Sequence, residues 1–296
     1  MAPATPVPAI PQTKSIPVDG VNGVGGSLFT FSIVECSTTG YLSDFVRSLD
    51  EHLPHFVFSR KTIELYERRI REGIISDTLL QHAQKALQIA TRSSDSGEFG
   101  EFLLYLFATK VLGALKIVSK IEHRDSRRSP VKGLDGTFFL VKNNEVYVLS
   151  GESKMKPDPN DGLREAQNDL NSFHADDTRT THEIELASRQ IVDEVNDQTW
   201  PIFDKKFLQQ DGDGNFMNVI FVGYSCENFR KMRNAEITFE EFCSKTCEHL
   251  QRCFTNQQAL IRQGGLATAF CFLPFEDIER ARTTFLQHHE LISLQS

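Results

Sequence analysis

Between Gly133 and Lys156 the chain reads GLDGTFFLVKNNEVYVLSGESKMK, and its Asp135, Glu152 and Lys154 are of the types that can hold a divalent ion and activate water. Apolar and polar residues alternate on either side of Asn143-Asn144, a pair that tolerates the positive φ of a two-residue turn, with Lys142 and Glu145 flanking it. Turn length sets the register of such a hairpin. Counting outward from Lys142 and Glu145 brings Asp135 opposite Glu152.

The pair flanking the turn is hydrogen-bonded, so Asp135 and Glu152 form a non-hydrogen-bonded pair with Cα atoms about 4.5 Å apart. Two carboxylates at that spacing repel, and one must take up a proton unless a cation lies between them. A divalent metal resolves the conflict, with Asp135, Glu152 and the carbonyl of Ser153 as its expected oxygen ligands. Lys154 follows Glu152 on the same strand face, where an ammonium can orient or deprotonate a bound water and counter charge on a scissile phosphate. The plainer alternative is a charge cluster at a strand end. A cluster built for ion pairing sets opposite charges face to face, whereas this register sets carboxylate against carboxylate; a β-bulge would undo it.

The elements that must carry these residues can be read from periodicity. Residues 1–26 contain five of the eleven prolines and end in VDGVNGVGGS, which reads as a flexible arm and fits no nucleotide-binding glycine motif. Residues 27–95 read as an α/β extension, with a strand from Leu28 to Cys36 and helices over about 42–53 and 62–91, the second broken near Gly73. Residues 96–296 then give a helix over 97–115, buried in its later turns, strands at about 115–121, 134–141 and 145–152, and a helix at about 162–173. A helical stretch at about 182–196 and a strand at 217–224 follow, then a tail with a helix over about 239–262, a strand at 266–273 and a helix from about Phe275 onward.

With 296 residues, 40% of them hydrophobic and 24% charged, the composition is that of a soluble globular chain. No run of 18 apolar residues is present, and the N-terminus lacks the basic and apolar regions of a secretory signal, so a cytoplasmic location is expected. The six cysteines are expected to be reduced and mostly buried; Cys243, Cys247 and Cys253 share one predicted helix, without the second ligand pair a zinc site draws from another element. The net charge of −8 argues against strong unaided binding of a polyanion. Between Lys116 and Lys132, however, six basic residues face two acidic ones, and Lys120, Arg124, Arg127, Arg128 and Lys132 are candidate contacts to a phosphate backbone. DGDGN, from Asp211, imitates the start of a calcium loop, but Phe216 and Val222 occupy its glycine and glutamate positions. The histidine pairs His123 with His182 and His288 with His289 show no metal-ligand pattern.

GLDG and GESK, within the order α-β-β-β-α-β over residues 97–224, resemble the PD-(D/E)XK nuclease superfamily, with Leu134 standing where the motif name has Pro. GEFGEFLLYLF, Ser119-Lys120, GLDG, GESK and FCFLPFEDIERARTTF together resemble the HamA family, nuclease subunits of the Hachiman antiphage system, over about residues 27–296. These resemblances imply a restriction-endonuclease-like α/β core with an N-terminal α/β extension and a C-terminal α/β tail. They imply a metal-dependent DNA endonuclease using Mg²⁺ (or Mn²⁺), catalysis by Asp135, Glu152 and Lys154, and a HamB-like helicase partner. Gly97 and Glu101 fit the G-x-x-x-E pattern of some relatives, making Glu101 a further, water-mediated metal contact with Glu98 as its substitute. Relatives often turn a polar residue of the following helix toward the phosphate, but Gln167 and Asn168 read better as exposed helix surface. Two other readings stand beside this one: a non-catalytic subunit that uses the nuclease fold to bind DNA or a helicase, and a stand-alone restriction-type endonuclease.

Overall fold

The computed structural model describes residues 41–91, 97–117, 133–142, 145–176, 178 and 215–291, together with the backbone of 13–18 and 26–31. Strands β1 (Thr13–Val18), β2 (Gly26–Phe31), β3 (Leu115–Lys116), β4 (Gly136–Lys142), β5 (Glu145–Lys156), β6 (Asn215–Ser225) and β7 (Ala267–Phe275) make one sheet in the order β1-β2-β7-β6-β5-β4-β3. β3, β4 and β5 form an antiparallel meander, β5, β6, β7 and β2 run parallel, and β1 closes the far edge antiparallel to β2. The protein is therefore α/β with a mixed sheet. Part of the segment read as a flexible arm, Thr13–Val18, is the edge strand β1, and β2 ends at Phe31 within the strand expected as far as Cys36. Because β2 pairs with β7, this one sheet crosses the boundary expected near residue 95.

The parallel strands are apolar almost continuously because helices cover both of their faces. In β6, Val219, Ile220, Phe221 and Val222 are all buried, and so are Phe270, Cys271 and Phe272 in β7. One face is covered by α1 (Tyr41–Ser48), α2 (Leu53–Val57), α5 (Glu98–Leu106) and α9 (Ile278–His288), with Phe45 and Phe99 both packed on Phe275. The other carries α6 (Pro159–His174) and α8 (Phe239–Gln263), whose Phe254 meets Phe270 and Phe272 edge-on. The remaining helices are α3 (Arg60–Arg71), α4 (Leu79–Ala90) and α7 (Glu227–Arg233). The long helical pattern of 62–91 divides into α3 and α4 at Gly73, which takes φ +70.

Two glycines let helices close on β5 from both sides. A Cβ on Gly100 of α5 would lie 3.1 Å from both Ser153 Oγ and Met155 Cγ, and one on Gly162 of α6 would lie 2.7 Å from Val222 Cγ1 and 3.6 Å from Lys154 Cβ. The ribbon carrying Glu152, Ser153 and Lys154 is thus held between two helices in near-backbone contact.

Two expectations change with burial. Lys116, counted among the basic residues of the 116–132 segment, points inward: its Nζ donates to the carbonyls of His55 (2.8 Å), Phe56 (2.8 Å) and Phe58 (3.2 Å), satisfying the end of α2. Gln167 is fully buried rather than exposed and donates from Nε2 to Asn171 Oδ1 at 2.9 Å, while Asn168 is exposed as expected. The helical stretch expected at 182–196 and Asp211 of the calcium-like loop lie outside the described residues.

Candidate active site

The hairpin adopts the register read from its turn, pairing Lys142 with Glu145 and running to Gly136 opposite Gly151. There β4 begins, whereas β5 continues to Lys156. The next hydrogen-bonding position on β5 is Ser153, and the Asp135 side chain takes over the role of the missing strand. Asp135 Oδ2 accepts the Ser153 N–H at 2.9 Å and the Ser153 hydroxyl at 2.7 Å. Both bonds fall on one oxygen, so Oδ1 has no hydrogen-bond partner among the described residues. Ser153 thus orients Asp135 through its amide and its hydroxyl.

Glu152 and Lys154 project from the opposite face of β5 to Ser153, toward α6. Glu152 is 6% exposed. Burial, and after it the Asp135 carboxylate, push its pKa up to about 8 against the pull of Lys154. Lys154 Nζ lies 2.8 Å from Glu152 Oε1 and 2.7 Å from Asp169 Oδ2. Burial works against this ammonium, but Glu152 and Asp169 outweigh it and raise its pKa above the ordinary lysine range. Two of its three N–H donors are thereby used.

Sequence reasoning missed Asp169. It is one half of a repeated staple: Lys154 pairs with Asp169, and Lys156 pairs with Glu165 at 2.8 Å. Two strand residues two apart span about 6.8 Å, and two helix residues four apart span about 6 Å. Lys-x-Lys followed by Glu-x-x-x-Asp was the signal that could have found it.

Glu101 and Glu98 lie in the first turn of α5, on either side of the Gly100 that abuts Ser153. Glu98 is buried and Glu101 partly buried. Among the described residues, no group of three carboxylate, imidazole or thiolate donor atoms within 4.8 Å of one another includes Asp135 or Glu152. The fold therefore brings together Asp135, Glu152, Ser153 and Lys154, and does not bring Glu101 into that inner group. Lys120, Arg124, Arg127, Arg128 and Lys132 lie outside the described residues. Cys243, Cys247 and Cys253 all fall on α8 as expected and assemble no such group among the described residues.

Two carboxylates of unequal environment beside an ammonium at the frayed end of a hairpin can hold a hard divalent cation. Asp135 presents an oxygen without a hydrogen-bond partner among the described residues, and Glu152 is a buried carboxylate whose ionisation burial hinders. No helix of the described residues is long and apolar enough to cross a membrane. None of the curated proteins compared matches the chain. A family model does match, that of HamA, over residues 16–288.

Proposed function

The chain belongs to the HamA family, which makes it a component of Hachiman antiphage defence, and from that premise we propose that it is the metal-dependent DNA endonuclease of the system. The observation that carries this reading is the charge cluster at the end of the hairpin, where Asp135 is bonded to Ser153 and acts electrostatically on Glu152, and Lys154 lies 2.8 Å from Glu152. The succession α5, β3, β4, β5, α6, β6 among the described residues supports a PD-(D/E)XK core around it.

Asp135, Glu152 and the Ser153 carbonyl would hold Mg²⁺ (or Mn²⁺), with Glu101 reaching it through water. When bound, that ion supplies Lewis acidity to a phosphate oxygen and lowers the pKa of a bound water. The protein's share is positional. Ser153 fixes the rotation of the Asp135 carboxylate, so that Oδ1 is presented without rearrangement. Glu152 adds the second negative charge in a site too dry to tolerate it alone. Lys154, braced by Asp169, keeps its third N–H for the attacking water or for a phosphate oxygen on which charge builds as water attacks phosphorus and the bond to the leaving oxygen breaks. The net charge of −8 supports delivery of the DNA by a HamB-like helicase, with Lys120, Arg124, Arg127, Arg128 and Lys132 as the phosphate track.

One observation favours the non-catalytic alternative: Lys154 is satisfied by two carboxylates, as in a purely structural ion-pair cluster. A supercoiled-plasmid assay with and without Mg²⁺, with and without the helicase, decides between them. Cleavage that requires Mg²⁺ and disappears in Lys154→Ala and Asp135→Asn supports the endonuclease. Unchanged cleavage in both variants, or none with the complete complex, refutes it.

A further inference from the structure

Outside the hairpin, three side chains from opposite ends of the sequence meet. Asp50 begins a 3-10 turn (Asp50–His52) after α1, and His288 and His289 end α9. His288 Nε2 lies 2.9 and 3.1 Å from the two Asp50 oxygens, and His289 Nε2 lies 3.9 Å from Asp50 Oδ1. The three donor atoms lie within 4.8 Å of one another, the one such group of three found among the described residues. Adjacent histidines show no ligand spacing in sequence, and the carboxylate that completes the group is 238 positions away.

His289 is fully buried, and its Nε2, aimed into this cluster, has no hydrogen-bond partner among the described residues. A buried polar atom left in that state costs about 1–3 kcal/mol. Ring orientation is set from α4: Gln84 lies 3.4 Å from Nδ1, and Gln88 donates to the His289 carbonyl at 3.3 Å. A half-turn of the Gln84 amide, which exchanges its oxygen and nitrogen, makes Nδ1–H the donor and leaves the lone pair on Nε2. That is how metal-bound histidines are held.

We propose that Asp50, His288 and His289 bind a transition-metal ion, Zn²⁺ by the chemistry of two imidazoles and a carboxylate, which clamps α9 to the turn after α1. With bonds of 2.0–2.1 Å, ligand atoms around tetrahedral zinc sit about 3.4 Å apart, and the observed 2.9 and 3.9 Å bracket that spacing. Asp50 is 22% exposed at its side chain, so water can reach the fourth position. Nitrogen ligands select against Mg²⁺, which keeps this site distinct from the carboxylate pair of the hairpin. The clamp is linked to α5 through aromatic packing: the His289 ring meets Phe285 at 4.6 Å, and Phe285 stacks on Phe99 at 4.6 Å.

The full-length protein, stripped with chelator, is titrated with Co²⁺ as a visible probe in excess Mg²⁺, and Zn²⁺ then competes for the site. One equivalent of Co²⁺ with d–d absorption, displaced by Zn²⁺, is expected, together with a higher melting temperature on adding Zn²⁺. Loss of an outer-sphere partner alone weakens metal binding 10–100-fold, so His288→Gln and Asp50→Asn should each weaken it by at least about 100-fold, while Glu152→Gln leaves it unchanged. His288 is partly exposed, and circular dichroism checks that its variant is folded. Absence of Co²⁺ absorption, or binding indifferent to His288→Gln and Asp50→Asn, overturns the assignment; loss in Glu152→Gln instead moves the ion to the hairpin.

Discussion

Replacing Glu152 by Gln should make the chelator-treated protein more stable at pH 8 and abolish DNA cleavage. A Glu152 pKa raised from 4.5 to about 8, at about 1.4 kcal/mol per pH unit, means that the ion-free fold disfavours this carboxylate by at most about 5 kcal/mol. Relaxation and water penetration reduce that ceiling, and about 2 kcal/mol is the expected effect. Because the folded pKa lies above the unfolded one, the folded state binds the extra proton. The associated stability is fully present below pH 4.5 and is lost as pH rises through about 8. Gln keeps an oxygen to accept from Lys154 but carries no charge, so the variant lacks this slope. Urea denaturation of both proteins in chelator from pH 5 to 9 measures it: the stability of the wild type relative to the variant should fall across the range. Mg²⁺ at pH 8 should then stabilise the wild type alone. A difference that stays flat, or favours the wild type increasingly as pH rises, would refute the account of Glu152 as a carboxylate awaiting a cation.

Gly100→Ala places a methyl 3.1 Å from Ser153 Oγ and Met155 Cγ; overpacking of this kind costs about 1–3 kcal/mol, and a drop in cleavage larger than the stability loss implies would show that α5 sets the position of Ser153. Lys116→Met removes the donor to three carbonyls at the end of α2 and should cost about 2–3 kcal/mol in denaturant without changing DNA affinity, since its charge does not face solvent. Replacing Arg124, Arg127 and Arg128 with Ala should weaken duplex binding and flatten its logarithmic salt dependence by up to about three units, read by anisotropy titrations at several salt concentrations.

The hairpin was legible because its information is local: a two-residue turn fixes every cross-strand pair, and alternation names the face. The pairing of β4 with β5 from Lys142 opposite Glu145 to Gly136 opposite Gly151 follows from that alone. What escaped depends on distant segments. Asp169 matters only because α6 returns along β5, and Gln167 looks like solvent-facing helix until α8 covers it. α7, ENFRKMR, buries only Phe229 and so presents no apolar period. β1 lies in a proline-containing stretch, and a strand at a sheet edge tolerates proline because one side of its backbone needs no partner. The Asp50 cluster has no signature in sequence, since its members come from two ends of the fold.

The stack of Phe285 on Phe99 has a consequence in time. α5 packs through Phe99 on Phe285 of α9, which leaves the ribosome long after α5, the hairpin and α6 have emerged. Contacts of such high sequence separation form late, so a nascent or truncated chain can display GLDG and GESK in a paired hairpin while the helix behind Ser153 remains unsupported. That delay leaves α5 without its partner helix until synthesis has passed residue 288.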